Sequence, residues 1–287
     1  MNTAIMTDTN SGITVEEGRE LGIYVLPMPV IIDGTSYLEG IDITTAQLFE
    51  AMKEERIITT SQPSPGTIID MWNSILDSGY EEIVYIPMTS SLSGSCQSAS
   101  LLAEDFGSKV SVVDNHRISV TQRESALEAR KMAERGICAK EIKEYLEAAA
   151  FQASIYLTVG SLKYLQMGGR LSSSAAMIGT LLNIKPILSI QGEMIDVLAK
   201  VRGMKTCERK LIEALQDDRK KRFADVPEEK IQLYTAGTMQ NKEDIEHWVA
   251  AVQAAFPNKV VSYAQLPCSI ASHVGPDCKG IGLSVIS

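Results

Sequence analysis

EIVYIPMTSSLSGS (residues 82–95) is the stretch of sequence that decides the fold. Its first seven residues are almost continuously apolar, which is typical of a strand buried on both faces of a parallel sheet. The remaining residues are small, hydroxylated or glycine, and they lead into a helical pattern from about Ser93 to Phe106. A buried strand, a short polar loop and a following helix together predict an α/β fold.

The same alternation of strand and helix runs through the first half of the chain. Strands are predicted at 3–8, 57–60, 82–88 and 109–114, and helices at 44–55, 66–78, 93–106, 117–135 and 139–151. In the extended segment 22–32, Pro27 and Pro29 favour an edge position or two short strands. Because ligands bind beyond the carboxyl ends of parallel strands, we expect Asp8 and the loops 60–65 and 90–95 to meet at that edge.

The second half also mixes strands and helices. Strands are predicted at 154–159, 231–237, 259–266 and 280–287, a hairpin at 183–203 that turns at Gln191-Gly192, and helices at 161–168, 172–182, 204–216 and around 245–256, with 217–230 as a solvated connection. We therefore predict two α/β domains, 1–152 and 153–287. The first domain is expected to have a mainly parallel sheet flanked by helices.

Composition excludes several functional classes. The chain has 287 residues, of which 45% are hydrophobic, and its net charge of −9 disfavours a nucleic-acid-binding protein. The five scattered cysteines indicate reduced thiols in a cytoplasmic protein, and the three distant histidines show no metal-ligand spacing. The N-terminus is too short and polar for a signal peptide, and no apolar run approaches the roughly 20 residues that cross a bilayer.

Three hydroxyl-rich loops are the candidate binding residues: TSQPSP (60–65), SSLSGS (90–95) and YLQMGGRLSSS (164–174). They offer the hydroxyls of Thr60, Ser61 and Ser93, backbone N–H groups near Gly94, and the guanidinium of Arg170. Such groups suit a small anionic head group. Each loop taken alone is better explained by a helix cap or a rigid turn, and for the third loop by a glycine C-cap followed by a surface arginine.

No catalytic motif accompanies these loops. The P-loop and the dinucleotide-binding glycine pattern are absent, and Ser93 lacks the first glycine of a GxSxG elbow. His273 could assist Ser93 only if the fold brought them together. An enzyme that acts on a small carboxylated or phosphorylated metabolite through Ser93 or His273 remains the alternative, and a lipid-sensing regulator is a third possibility.

The motifs taken in order resemble those of the DegV family of bacterial fatty-acid-binding proteins. They are TDTNSGI near the N-terminus, TSQPSPG, SSLSGS, LKYLQMGGRLSS, GTLLNIKPIL (179–188) and SHVGPDCKGIG (272–282). The combination of TSQPS, SxxSG and LxxGGR in this order is highly specific, and it extends over nearly the whole chain. The sequence departs from the family pattern at Thr9, at Ser95 and in the segment 276–279.

The resemblance implies a lipid-binding carrier without catalytic activity and without a cofactor. Its acyl chain is expected to be enclosed at the interface between the two domains, with Met177 to Leu182 and Ile184 to Ile190 as candidate tunnel walls. Thr60 and Ser93 are expected to hold the carboxylate, helped by Gly94 and Ser61. Arg170 and His273 are expected near the head group, and Arg202 at the docking site for a partner.

In this family the partner is the catalytic subunit of a fatty acid kinase, to which the carrier presents the carboxylate for acyl phosphate formation. We expect a cytoplasmic, monomeric protein that inserts stably into no membrane.

Overall fold

The structure is a computed structural model that describes residues 2–172 and 184–287. It divides into two compact units, one made of Met1–Phe151 with Pro267–Ser269 and the other of Gln152–Leu266 with Ile270–Ser287. The sequence-based division assigned the short segment Pro267–Ser269 to the second domain instead. The predicted helix 172–182 lies outside the described residues except for Ser172, and the candidate tunnel wall from Met177 to Leu182 lies wholly outside them.

The first unit follows the predicted alternation. Its elements are β1 (Thr3–Asp8), α1 (Val15–Leu21), β2 (Ile23–Leu26), β3 (Pro29–Ile32), β4 (Thr35–Leu38), α2 (Thr45–Lys53), β5 (Ile58–Thr60), α3 (Pro65–Asp77), β6 (Glu82–Ile86), α4 (Ser95–Ala103), β7 (Val110–Val112), α5 (Val120–Glu134) and α6 (Ala139–Ala148). Four strands form a parallel sheet in the order β2-β1-β6-β7. The prediction of a parallel sheet is confirmed.

Helices cover both faces of this sheet because its central strands are apolar on both sides. On one face Trp72 of α3 packs edge-on against Tyr85 of β6, with ring centroids 6.2 Å apart. On the other face Val84 packs with Ala126 of α5 and Ile142 of α6. The carboxyl ends of β1 and β6 lie side by side, as the register Thr7 to Ile86 shows.

A second sheet in this unit was not predicted. β3 pairs antiparallel with both β4 and β5 in the order β4-β3-β5, so the segment 22–32 forms two short strands in two different sheets. The expectation that the 60–65 loop follows a strand of the parallel sheet is therefore wrong, since Thr60 pairs with Val30 instead. Neither α1 nor β4 was predicted, because both are short and exposed over much of their length.

The second unit is built on a six-stranded sheet. Its elements are β8 (Ala153–Thr158), α7 (Lys163–Gly168), β9 (Ile184–Ile190), β10 (Asp196–Arg202), α8 (Met204–Lys221), β11 (Ile231–Gly237), α9 (Lys242–Ala255), β12 (Tyr263–Gln265) and β13 (Lys279–Val285), with α10 (Cys268–Val274) preceding β13. The sheet order is β10-β9-β8-β13-β11-β12, and all neighbours are antiparallel except β11 and β12. The predicted hairpin is β9 and β10.

The core of this unit lies between the sheet and α8 and α9. Trp248 is fully buried and donates a hydrogen bond from Nε1 to the carbonyl oxygen of Gly280 at 3.1 Å. The prediction of a solvated connection at 217–230 is wrong for residues 217–221, since α8 continues to Lys221. In this part of the helix, the buried carboxylate of Asp218 accepts a hydrogen bond from Tyr156 Oη at 2.7 Å.

Over residues 2–172 and 184–287, no helix combines the length and the apolar character needed to span a bilayer.

Candidate functional site

The loop that follows β6 is fixed to the end of β1 by a buried carboxylate. Asp8 Oδ2 accepts a hydrogen bond from the backbone N–H of Met88 at 3.0 Å. Asp8 Oδ1 accepts from the N–H of Asn10 and from Gln122 Nε2, both at 3.0 Å. Burial raises the pKa of Asp8, and these three N–H donors oppose the rise. Asp8 therefore lies at the carboxyl edge of the sheet, as predicted, and it fixes where the SSLSGS loop begins.

Ser93 lies immediately before the cap of α4. The N-cap residue is Gly94, which offers no side-chain cap, and Ser93 Oγ accepts a hydrogen bond from the Ser95 N–H at 3.2 Å. The two hydroxyls of Ser93 and Ser95 are also 2.9 Å apart. The prediction of Ser93 at or near the N-cap is thus correct to within one residue. A half-buried hydroxyl lies beside exposed backbone at Gly94 and the start of a helix.

The TSQPSP loop continues from β5 into α3. Thr60 ends β5 and is half-buried, whereas Ser61 is exposed. Ser64 is the N-cap of α3, where its Oγ accepts from the Thr67 N–H at 3.1 Å and Pro65 takes the first helical position. The capping explanation therefore holds for Ser64, and the hydroxyls of Thr60 and Ser61 remain as candidate ligand contacts.

The two hydroxyl loops touch each other. Ser98 Oγ, in the first turns of α4, donates a hydrogen bond to Gln62 Oε1 at 3.2 Å. A Cβ atom placed on Gly94 would lie 2.9 Å from the same Gln62 oxygen. The loops carrying Thr60 and Ser93 are thus adjacent within the first unit, although their strands belong to different sheets.

Arg170 and His273 lie together in the second unit, around Gly168. The guanidinium of Arg170 donates a hydrogen bond from Nη1 to the carbonyl oxygen of Gly168. The imidazole of His273 packs against the Cα of Gly168. Burial, together with the positive charge of Arg170, lowers the pKa of His273 to about 4, so the imidazole is neutral at pH 7. The expectation of a surface arginine after a glycine cap does not hold, because Arg170 is half-buried.

Arg202 lies apart from these groups along the sequence, at the end of β10. It is exposed, and Gly203 after it begins α8. Its position on an edge strand leaves its side chain accessible.

Sequence reasoning missed a second buried carboxyl in the first unit. Glu39 Oε2 accepts from Thr9 Oγ1 at 2.7 Å and lies 2.8 Å from Ser269 Oγ, which is also 2.8 Å from Asn10 Oδ1. Burial raises the pKa of Glu39. Glu39 follows a short exposed strand and carries no motif, so no local signal marked it. Its contact with Ser269 joins parts of the chain 230 residues apart.

The described residues were compared with the requirements of a metal site. In the ranges 2–172 and 184–287, no cluster of three or more histidine, cysteine or acidic side chains has the arrangement to hold a metal ion. The same ranges contain all five cysteines, and no disulfide joins them.

Comparison with known proteins identifies the family. From residue 2 to residue 285 the chain matches the model of a family described as "Uncharacterised protein, DegV family". It is 31% identical over 280 residues to a DegV domain-containing protein of Caldanaerobacter subterraneus subsp. tengcongensis, and the match covers 97% of each chain.

Solved structures agree in fold. The chain is similar to a fatty-acid-binding DegV family protein from Thermus thermophilus, with a TM-score of 0.87 and 27% identity over 100% of both chains. It is also similar to a stearic-acid-binding protein from Eubacterium ventriosum, with a TM-score of 0.87 and 25% identity over 99% of this chain and 98% of the other. The family model and these relatives span nearly the whole sequence, and we conclude that the chain belongs to the DegV family.

Proposed function

We propose that this protein binds a long-chain fatty acid, with its carboxylate held by Thr60 and Ser93 and its tail buried. The observation that carries the proposal is the contact between the two hydroxyl loops, through Gln62 and Ser98. Relatives that are 27% and 25% identical over essentially their whole length bind fatty acids. The contact between the loops and the similarity to these relatives therefore both support the proposal.

The chemistry of the loops suits a carboxylate. The hydroxyls of Thr60, Ser61 and Ser93 and the backbone near Gly94 can donate hydrogen bonds without adding a buried charge. These hydroxyl and backbone donors add no charge of their own that must be desolvated, so they would set orientation and the tail would supply affinity. Burying an acyl chain yields about 0.8 kcal/mol per CH₂. A chain of ~16 carbons would thus supply roughly 10 kcal/mol before the costs of binding.

In this proposal the protein is a cytoplasmic monomer and a carrier, not an enzyme. The Ser93 hydroxyl is hydrogen-bonded to Ser95, which is no base, and this supports holding an acid rather than attacking it. The bound acid would be presented to the catalytic subunit of a fatty acid kinase, with exposed Arg202 contributing to docking. Arg170 and His273 would lie near the head group. No cofactor is needed for such a role.

Organic extraction followed by mass spectrometry tests the binding proposal. Protein purified from a bacterial host should release fatty acids in about equimolar amount. Delipidated protein should take up palmitate in a titration. A protein that releases no acyl chain and also takes up none would refute the proposal.

The alternative enzyme, acting through Ser93 or His273, makes a different prediction. It would turn over a small carboxylated or phosphorylated metabolite without any partner protein. The carrier should instead support acyl phosphate formation only when a kinase subunit and ATP are added. Charge reversal of Arg202 to Glu should lower that rate without changing palmitate affinity.

A further inference from the structure

Two segments of the second unit approach each other at three glycines. Gly160 faces the carbonyl oxygen of Pro276, Gly275 faces the ring of Tyr164, and Gly168 faces the ring of His273. At each glycine, a Cβ atom would come closer to the opposing group than the 3.0 Å below which real Cβ atoms essentially never come. The segments 160–168 and 273–276 are therefore in close contact along their length.

The two glycines of the GGR motif have different physical roles. Gly169 has a φ of +67° and ends α7 in the left-handed region, which glycine adopts without strain. Gly168 is the last residue of α7 and is not among the residues with positive φ. An alanine at Gly168 would fit the backbone, and alanine in a helix normally stabilises it relative to glycine. The absence of a side chain at Gly168 serves only to make room for His273.

The backbone that follows His273 is firmly anchored. The turn that follows it is fixed by Thr238, which is fully buried. Thr238 Oγ1 donates to the carbonyl oxygen of Gly275 at 2.7 Å and accepts from the N–H of Cys278 at 2.9 Å. The divergent segment 276–279 is thus tied to the end of β11, and it holds the C-terminal end of α10 in place.

We propose that Gly168 is a positioning residue that sets the place of two head-group side chains at once. Its carbonyl oxygen receives the guanidinium of Arg170, and its bare Cα receives the imidazole of His273. One residue thereby fixes the cation and the imidazole relative to each other. This inference rests on the proposed function, because the position of the two side chains affects ligand binding only if both of them contact the fatty-acid carboxylate.

A double-mutant cycle tests the inference through palmitate affinity. We expect Gly168→Ala to weaken palmitate binding about tenfold, which is as much as His273→Ala, since one hydrogen bond to a charged group is lost in each case. In the His273→Ala background, adding Gly168→Ala should change affinity less than twofold, because the ring that it displaces is gone. Gly66→Ala is the matched control, because its Cβ would meet nothing closer than Ser64 Oγ at 3.9 Å, an ordinary van der Waals contact.

A second readout does not depend on the ligand. The pKa of His273 can be measured from the pH titration of its ring resonance, which is assigned by its loss in His273→Ala. We expect this pKa to rise in Gly168→Ala from about 4 towards the ordinary value of 6.5. If this titration moves while the wild-type protein binds no palmitate, the positioning contact stands and the proposed function fails.

Three outcomes would overturn the role of Gly168. They are equal weakening of binding by Gly168→Ala in both backgrounds, an unchanged His273 titration, and misfolding of both the single and the double variant. Misfolding of Gly168→Ala alone, rescued by His273→Ala, would instead support it.

Discussion

The hydroxyl loops of the first unit and the GGR region of the second unit are held in place in opposite ways. In the first unit, the loops of Thr60 and Ser93 meet through hydrogen bonds between polar side chains, and Gly94 faces the flexible tip of Gln62. In the second unit, Gly168 faces the ring of His273, and the turn after His273 is anchored by Thr238. Gly94 is therefore close to the end of a flexible side chain, whereas Gly168 is close to a rigid ring on an anchored backbone.

This difference predicts how each part responds to change. A contact between flexible polar tips can lose one partner at small cost, because water replaces it. A contact between a ring and a bare Cα can accept another atom only if the ring or the backbone moves. We therefore expect large effects from changes around His273 and graded effects from changes in the hydroxyl loops.

The largest expected effect concerns the pH dependence of stability through His273. Its pKa is about 4 in the folded protein, below the ordinary value of 6.5, because burial and Arg170 disfavour the charged ring. Above pH 6.5 the ring is neutral in both states. As the pH falls from 6.5 to 4, the unfolded chain takes up a proton that the folded chain does not. The free energy of unfolding should therefore fall by up to about 3 kcal/mol.

His273→Gln should abolish this contribution, as measured by urea unfolding at a series of pH values. The comparison with wild type is needed because the raised pKa values of Asp8 and Glu39 act in the opposite direction over the same acidic range. His247→Gln is the matched control, since the side chain of His247 is 64% exposed. A stability difference between His273→Gln and wild type that stays constant with pH would contradict a buried neutral imidazole.

The next effect concerns the hydroxyls of the first unit. Removing both with Thr60→Ala and Ser93→Ala should weaken palmitate binding roughly thirtyfold, because each hydroxyl contributes about 1 kcal/mol. Titration calorimetry on delipidated protein measures this change. Thr59→Ala with Ser100→Ala is the control pair, because Thr59 precedes Thr60 in β5, Ser100 lies in α4 after Ser93, and both control side chains are exposed. If both pairs of substitutions lowered the affinity equally, the loss would reflect a disturbed fold and not a lost contact. If the first pair left the affinity unchanged, Thr60 and Ser93 would not contact the ligand.

The sequence predicted the framework better than the contacts within it. The apolar runs of β1 and β6 led directly to the parallel sheet, because strands buried on both faces leave a strong local pattern. Asp8 was placed correctly, since the end of a buried strand fixes where the next residue lies. β5 was assigned to the wrong sheet, because a three-residue strand carries too little pattern to identify its partner.

Contacts between distant segments left no local signal. The Glu39 carboxyl joins Ser269 across 230 residues, and the fit of His273 on Gly168 across more than 100 residues depends on the whole second unit. The GGR motif marked the right place, but its two glycines could not be separated by sequence. Only the backbone shows that Gly169 is needed for its φ and Gly168 for its missing side chain.

The smallest expected effect comes from the contact between the two hydroxyl loops. Gln62→Ala removes one exposed hydrogen bond, to Ser98, so palmitate affinity should fall about twofold and the free energy of unfolding should change by less than about 0.5 kcal/mol. Ser98→Ala should have the same effect, and the double variant should add nothing further, since both remove one bond.

Gly94→Ala completes the comparison of the two glycines. The backbone of Gly94 is right-handed helical, with φ −73° and ψ −3°, so alanine fits it without strain. The added methyl meets only the Gln62 side chain, which can turn aside, and the fold should keep its stability in a thermal melt. A destabilisation as large as that of Gly168→Ala would mean that the Gln62 tip is as firmly fixed as the His273 ring. The hydroxyl loops of the first unit and the GGR region of the second would then both be held by packing, and the hydroxyl loops could no longer be regarded as the more adaptable of the two.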